Sequence, residues 1–97
     1  MKVTKPIVKE LASGEDFIVK QMKARANALL PKHFADVESI LLIQEGECTL
    51  NMDGEEHLLM QGDAFIIPPQ VNHQIRAKTD FKAAHFMPKK IKFEYIT

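Results

Sequence analysis

Apolar and polar residues alternate with a period of two through most of the chain from Glu38 onward, and turn residues interrupt that alternation every eight to twelve positions. This rhythm predicts short antiparallel strands. The sharpest signal is NMDGEEHLL, where Asp53-Gly54 supplies the two residues that take positive φ in a tight hairpin turn, so residues 47–52 are expected to pair with 55–60. Upstream, SILLIQ has few polar interruptions and is expected to lie centrally, buried on both faces, with one face covered through a subunit contact. Downstream, Gln61-Gly62-Asp63 forms a turn, AFII a strand, and Pro68-Pro69-Gln70-Val71-Asn72 a loop that cannot continue a ladder. His73 then opens another strand. In FKAAHFM the parity opposite Lys82 places Phe81, Ala83, His85 and Met87 on one inward face. Before residue 30, VKEL fits either a helix start or an edge strand, while FIVKQMKA and ANALL read as peripheral strands separated by a polar turn.

Ninety-seven residues make one domain, 1–97, without linker, repeat or low-complexity tract. Thirteen basic and thirteen acidic residues cancel, so the broad positive field that draws nucleic acid or an anionic membrane is absent. Small molecules or proteins are the expected partners. No apolar run approaches the length of a membrane span, and the N-terminus has no apolar signal core. With a single cysteine, Cys48, no internal disulfide can form, and the expected location is the cytoplasm. Phosphate-cradling loops, dinucleotide fingerprints and nucleophile elbows are missing, which sets aside those enzyme classes.

Histidine carries the remaining chemistry. Gly62 is followed after five residues by Pro68, and His73 stands five positions further on; counting back from Gly46 leads through Ser39 to His33-Phe34-Ala35. This spacing resembles the two motifs of the cupin superfamily: His-x-His, three or four residues, Glu, six residues, Gly, and then Gly, five residues, Pro-x-Gly, two residues, His, three residues, Asn. The resemblance covers about residues 30–88. It places His33 and His73 at ligand positions, whereas Ala35 replaces a histidine, Ser39 the glutamate, Gln70 the second motif's glycine and Ala77 its asparagine. Glu38 lies one residue off the glutamate position, and in a strand that slip sends a side chain to the opposite face.

The resemblance implies an all-β fold, a cupin-type antiparallel β-barrel or jelly roll (a double-stranded β-helix), usually dimeric, with its site between two sheets. Activities on this fold are many, so function rests on the site. The candidate ligand-binding residues are His33, Ser39, His73 and His85, with no catalytic residue assigned. One expectation is a homodimeric, metal-poor or metal-free sensor, carrier or accessory protein that binds a small organic ligand. The alternative is a dioxygenase- or isomerase-like metalloenzyme in which His33, His73 and His85 hold one divalent Zn, Fe, Ni, Cu or Mn ion, His85 being added by its strand parity alone. A third is an oligomeric interaction module built on the ILLI strand. Cys48 alternates with Leu50 and Met52 as an inward apolar stripe, His57 on the hairpin is expected to be solvated, and Lys89, Lys90 and Lys92 read as a solubilising tail.

Overall fold

Ten strands account for every regular element in a computed structural model that describes residues 2–96. They are β1 (Ile7–Ser13), β2 (Phe17–Ala24), β3 (His33–Ala35), β4 (Ser39–Glu45), β5 (Glu47–Met52), β6 (Glu55–Met60), β7 (Ala64–Ile67), β8 (His73–Ala77), β9 (Phe81–Pro88) and β10 (Phe93–Tyr95). Two five-stranded antiparallel sheets result, ordered β1-β2-β9-β4-β7 and β10-β3-β8-β5-β6. Only β1–β2 and β5–β6 follow one another within a sheet, and every other connection carries the chain from one sheet to the other, which is jelly-roll connectivity. Neither sheet closes on the other through a ladder, so the barrel of the sequence expectation is an open sandwich of two sheets.

The β5–β6 hairpin has the expected register from Glu47 opposite Met60 to Met52 opposite Glu55, and Asp53 and Gly54 both take positive φ, at 53° and 79°. The inward stripes of both sheets meet in one core containing Leu41, Ile43, Cys48, Leu50, Ile75 and Phe81. Cys48 belongs to that core, and burial pushes its thiol up to about 11, which makes it a packing residue rather than a nucleophile. On β9 the expected parity holds, with Phe81, Ala83, His85 and Met87 all buried. Gln70, at the position where the family motif carries glycine, holds φ at 63° and donates its backbone N–H to Ala35 O at 2.8 Å, so the second-motif loop is tied to β3 despite the substitution.

SILLIQ is interior to its sheet, between β9 and β7, as expected; Ser39, Leu41 and Ile43 are buried, and Ile40 is 41% exposed on the face expected to meet a subunit. Two expectations need correction. ANALL is no strand: Asn27 turns the chain with φ at 70°, and Leu29 alone makes a bridge, to Arg76 and to Val3. Finally, the tail after Lys92 forms β10, which pairs with β3 through Phe93–Ala35 and Tyr95–His33. At the other end VKEL is an edge strand, exposed along its whole length.

Candidate functional site

Strand register builds the site. His33 on β3 and His73 on β8 are direct partners across their ladder, and their rings meet edge to face with centroids 4.4 Å apart. The backbone fixes both rings in the same manner: His33 Nδ1 lies 3.2 Å from Pro31 O and His73 Nδ1 lies 3.1 Å from Val71 O. A carbonyl oxygen can only accept, so the proton sits on Nδ1 and each Nε2 keeps its lone pair. Phe93 and Tyr95 of β10 flank the His33 ring, both with centroids at 5.3 Å.

His85 comes from the opposite sheet. Its Nε2 lies 2.8 Å from Ser39 Oγ, a bond between two buried side chains on neighbouring strands β9 and β4. Ser39 thus occupies the motif's glutamate position as a partner that orients His85, while Ala35 is buried core and Glu38 is exposed. Among the described residues, the one buried side-chain nitrogen or oxygen without a hydrogen-bond partner is His57 Nε2. The second ring nitrogens of His33, His73 and His85 are therefore open to the cavity. His57 itself is half-buried against Phe65, with centroids 5.0 Å apart, rather than solvated as the sequence suggested.

The three histidines line a cavity of about 470 Å³ between the sheets. Most of its wall is apolar, with Ile18, Leu30, Leu41, Ile67, Ile75 and Met87 facing the three rings. Burial, first among the causes, lowers the pKa of all three histidines from 6.5, His85 to about 4, with the neighbouring histidines and Lys20 adding to the effect on His85. All three are neutral at pH 7. Sequence parity turned His85 inward, where it lines the cavity, but it did not find Phe93 and Tyr95, nor Lys20 and Lys89, which also line it. The alternation of Phe93 and Tyr95 in KFEYI was the available signal for β10.

A resident metal ion finds an incomplete ligand set. His33 and His73 offer Nε2 and His85 only Nδ1, its Nε2 being engaged by Ser39, and no carboxylate or thiolate lines the cavity. Among the described residues no three His, Cys, Asp or Glu side chains are grouped to hold an ion. A catalytic zinc or iron site ordinarily needs three protein ligands, so these residues do not fit a tightly held metal.

Comparison with known proteins places this geometry. The chain is similar to one region of salicylate 1,2-dioxygenase from Pseudaminobacter salicylatoxidans, at a TM-score of 0.82 and 17% identity over 93% of this chain and 30% of that one. It thus spans less than a third of the dioxygenase. A cupin superfamily protein from Desulfitobacterium hafniense is similar over 91% of this chain and 81% of its own, at a TM-score of 0.79 and 17% identity. A conserved protein of unknown function from Streptococcus pyogenes matches at a TM-score of 0.77 and 15% identity, over 88% of this chain and 75% of its own. No curated protein matches the sequence. At these identities the likeness establishes the fold. The family model for the Cupin domain matches residues 22–87, which include both motifs and all three cavity histidines, and the chain belongs to the cupin family.

Proposed function

We propose that this cupin binds a small, largely apolar organic molecule between its sheets and does so without a resident metal, as a sensor, carrier or accessory protein. The observation that carries this reading is the 470 Å³ apolar cavity floored by three neutral histidines. Apolar walls bind by excluding water from the ligand's body. The two Nε2 acceptors of His33 and His73 take hydrogen bonds from a hydroxyl or N–H on the ligand, which fixes its orientation.

Methionine methyl groups provide the test. Met22 and Met87 line the cavity, Met52 does not, and Met60 is 47% exposed on β6. In ¹³C-methyl spectra, small aromatic and medium-chain aliphatic compounds are expected to shift Met22 and Met87 saturably while Met60 stays fixed. Shifts confined to Met60, or none across a broad panel, would exclude cavity binding. The metalloenzyme reading draws support from the Nδ1–carbonyl bonds, the arrangement in which metal-ligating histidines are commonly held. One equivalent of Zn²⁺ added to untagged protein separates the two: a stoichiometric shift of Met22 and Met87 would overturn the metal-free clause.

A homodimer is part of the proposal. Val19, Phe86, Ile40 and Ile66 form one row across four strands on the outer face of the β1-β2-β9-β4-β7 sheet, and the last three are 36%, 41% and 54% exposed. A two-fold pairing of such rows buries both at once. Ile40→Glu, at its centre, is expected to convert a dimer to a monomer by light scattering, with the fold retained; an unchanged mass would place any dimer contact elsewhere. The lone buried thiol suits a reducing, cytoplasmic setting.

A further inference from the structure

The cavity wall contains two lysines, Lys20 and Lys89, and no aspartate or glutamate. Lys20 is the cross-strand neighbour of His85 in the β2–β9 register, so its side chain leaves the sheet on the same inward face. It is half-buried, whereas Lys89 is exposed at the mouth. Neither ammonium group makes an ion pair; the ion pairs among the described residues with printed geometry join Lys82 to Glu45 and His57 to Glu55. Glu10 stands opposite Lys20 on β1, but it is exposed and does not reach Lys20. Across the same face lie the neutral rings of His33, His73 and His85, which cannot compensate a positive charge with a negative one.

An apolar cavity with uncompensated ammonium groups and no carboxylate has a definite charge preference. The field inside a low-dielectric cleft is stronger than at an open surface, so a single half-buried ammonium discriminates between ligands of the same shape and different charge. A cationic ligand would meet two like charges, a neutral one would leave Lys20 without a partner, and a monoanion would supply the missing countercharge.

Resting on the ligand-binding reading above, we propose that the site selects small apolar monoanions, such as carboxylates, whose head group is held by Lys20 beside His85 with Lys89 guarding the entrance, while the apolar body packs against Leu41, Ile67, Ile75 and Met87. The imidazole Nε2 atoms of His33 and His73 present lone pairs and do not attract the anion, so the head lies on the Lys20 side of the cavity and the far end of the ligand meets the β3–β8 histidines.

Benzoate, benzamide and benzamidinium are near-isosteric and carry one negative, no and one positive charge, so they separate charge selection from cavity filling. At pH 7.5 and low salt, the Met22 and Met87 methyl shifts are expected to report benzoate binding about tenfold tighter than benzamide, with benzamidinium weakest. Added salt should weaken benzoate and leave benzamide unchanged. Lys20→Met keeps the side chain's apolar length and removes the charge; it is expected to bring benzoate within about twofold of benzamide without altering benzamide affinity. If benzamide matches benzoate in the unmutated protein, ligand binding stands and anion selection falls, the ammonium of Lys20 then reaching only to water. Equal loss of benzoate and benzamide in Lys20→Met would also overturn it, since that is the result of a damaged cavity. If none of the three moves Met22 or Met87 at millimolar concentration, both readings fall for ligands of this class.

Discussion

Acidification from pH 6.5 to 4 is expected to remove about 3 kcal/mol of folding stability through His85 alone. The ring titrates near 6.5 in the unfolded chain and near 4 in the folded one, where burial, the two other histidines and Lys20 all oppose its charge. Well above pH 6.5 it is neutral in both states and contributes nothing to the pH dependence. Between pH 6.5 and 4 the unfolded chain binds a proton that the folded chain largely does not, so unfolding gains; well below 4 both states are protonated and the difference is constant. About 2 kcal/mol of the loss falls between pH 6.5 and 5, before most carboxylates begin to titrate. His33 and His73 are displaced in the same direction, again chiefly by burial, and act with the same sign. Urea midpoints at pH 7.5, 6.5 and 5 measure the slope, and His85→Asn is expected to flatten it relative to the unmutated protein. Parallel profiles for the two would show that His85 is hydrated and free to take a proton in the folded state.

That neutrality could not be read from the chain. Parity on FKAAHFM was enough to turn His85 inward, because Lys82 fixes the phase and period two does the rest. Its partner Ser39 lies 46 positions away, and only the β4–β9 pairing brings them together. From sequence Ser39 was a missing glutamate; in the fold it is the group that orients a histidine. The second motif was legible because its turns are local: Gly62, Pro68 and the loop through Asn72 deliver His73 to the start of β8 whatever the rest of the chain does. β10 failed for the opposite reason. Its three residues pair with β3, some sixty positions earlier, and two alternating aromatics after a lysine-rich stretch are too short a pattern to outweigh the charge. Lys20 and Lys89 followed suit, since a lysine in a strand reads as solvated until the opposing sheet shows what it faces. The apolar run in SILLIQ was legible as a central strand, but periodicity alone does not say whether its outer face is covered by the same chain or by a partner.

Gly46→Ala is expected to cost about 3–5 kcal/mol, far more than the same change at Gly54. Both glycines hold left-handed backbones, with φ at 77° and 79°, so the conformational penalty of a side chain is shared and amounts to about 1 kcal/mol at each. Their surroundings differ. Nothing lies within 4 Å of a Cβ on Gly54, at the hairpin tip. A Cβ on Gly46 would overlap the carbonyl oxygen of Asp80 and approach Thr79 Oγ1 to 2.7 Å and Phe81 Cα to 3.0 Å. Those groups cannot easily move. Glu47 N donates to Thr79 Oγ1 at 3.0 Å, Lys78 N donates to Glu47 O at 3.0 Å, and Ala26 N donates to Asp80 Oδ1 at 2.8 Å, so the β8–β9 turn is held on several sides. Gly46 is also where the chain leaves β4 in one sheet and enters β5 in the other, and the residues it touches lead directly into β9 and His85. The last position of the first motif therefore acts as a close-packing point between sheets, a role independent of the motif's ligand positions, two of which hold Ala35 and Ser39. Urea denaturation of Gly46→Ala and Gly54→Ala compares the two directly. Equal losses would mean that backbone conformation alone sets the cost at Gly46; a larger loss at Gly46, with perturbation of the Met87 methyl on β9, would show that the same contact that joins the sheets also positions the cavity wall.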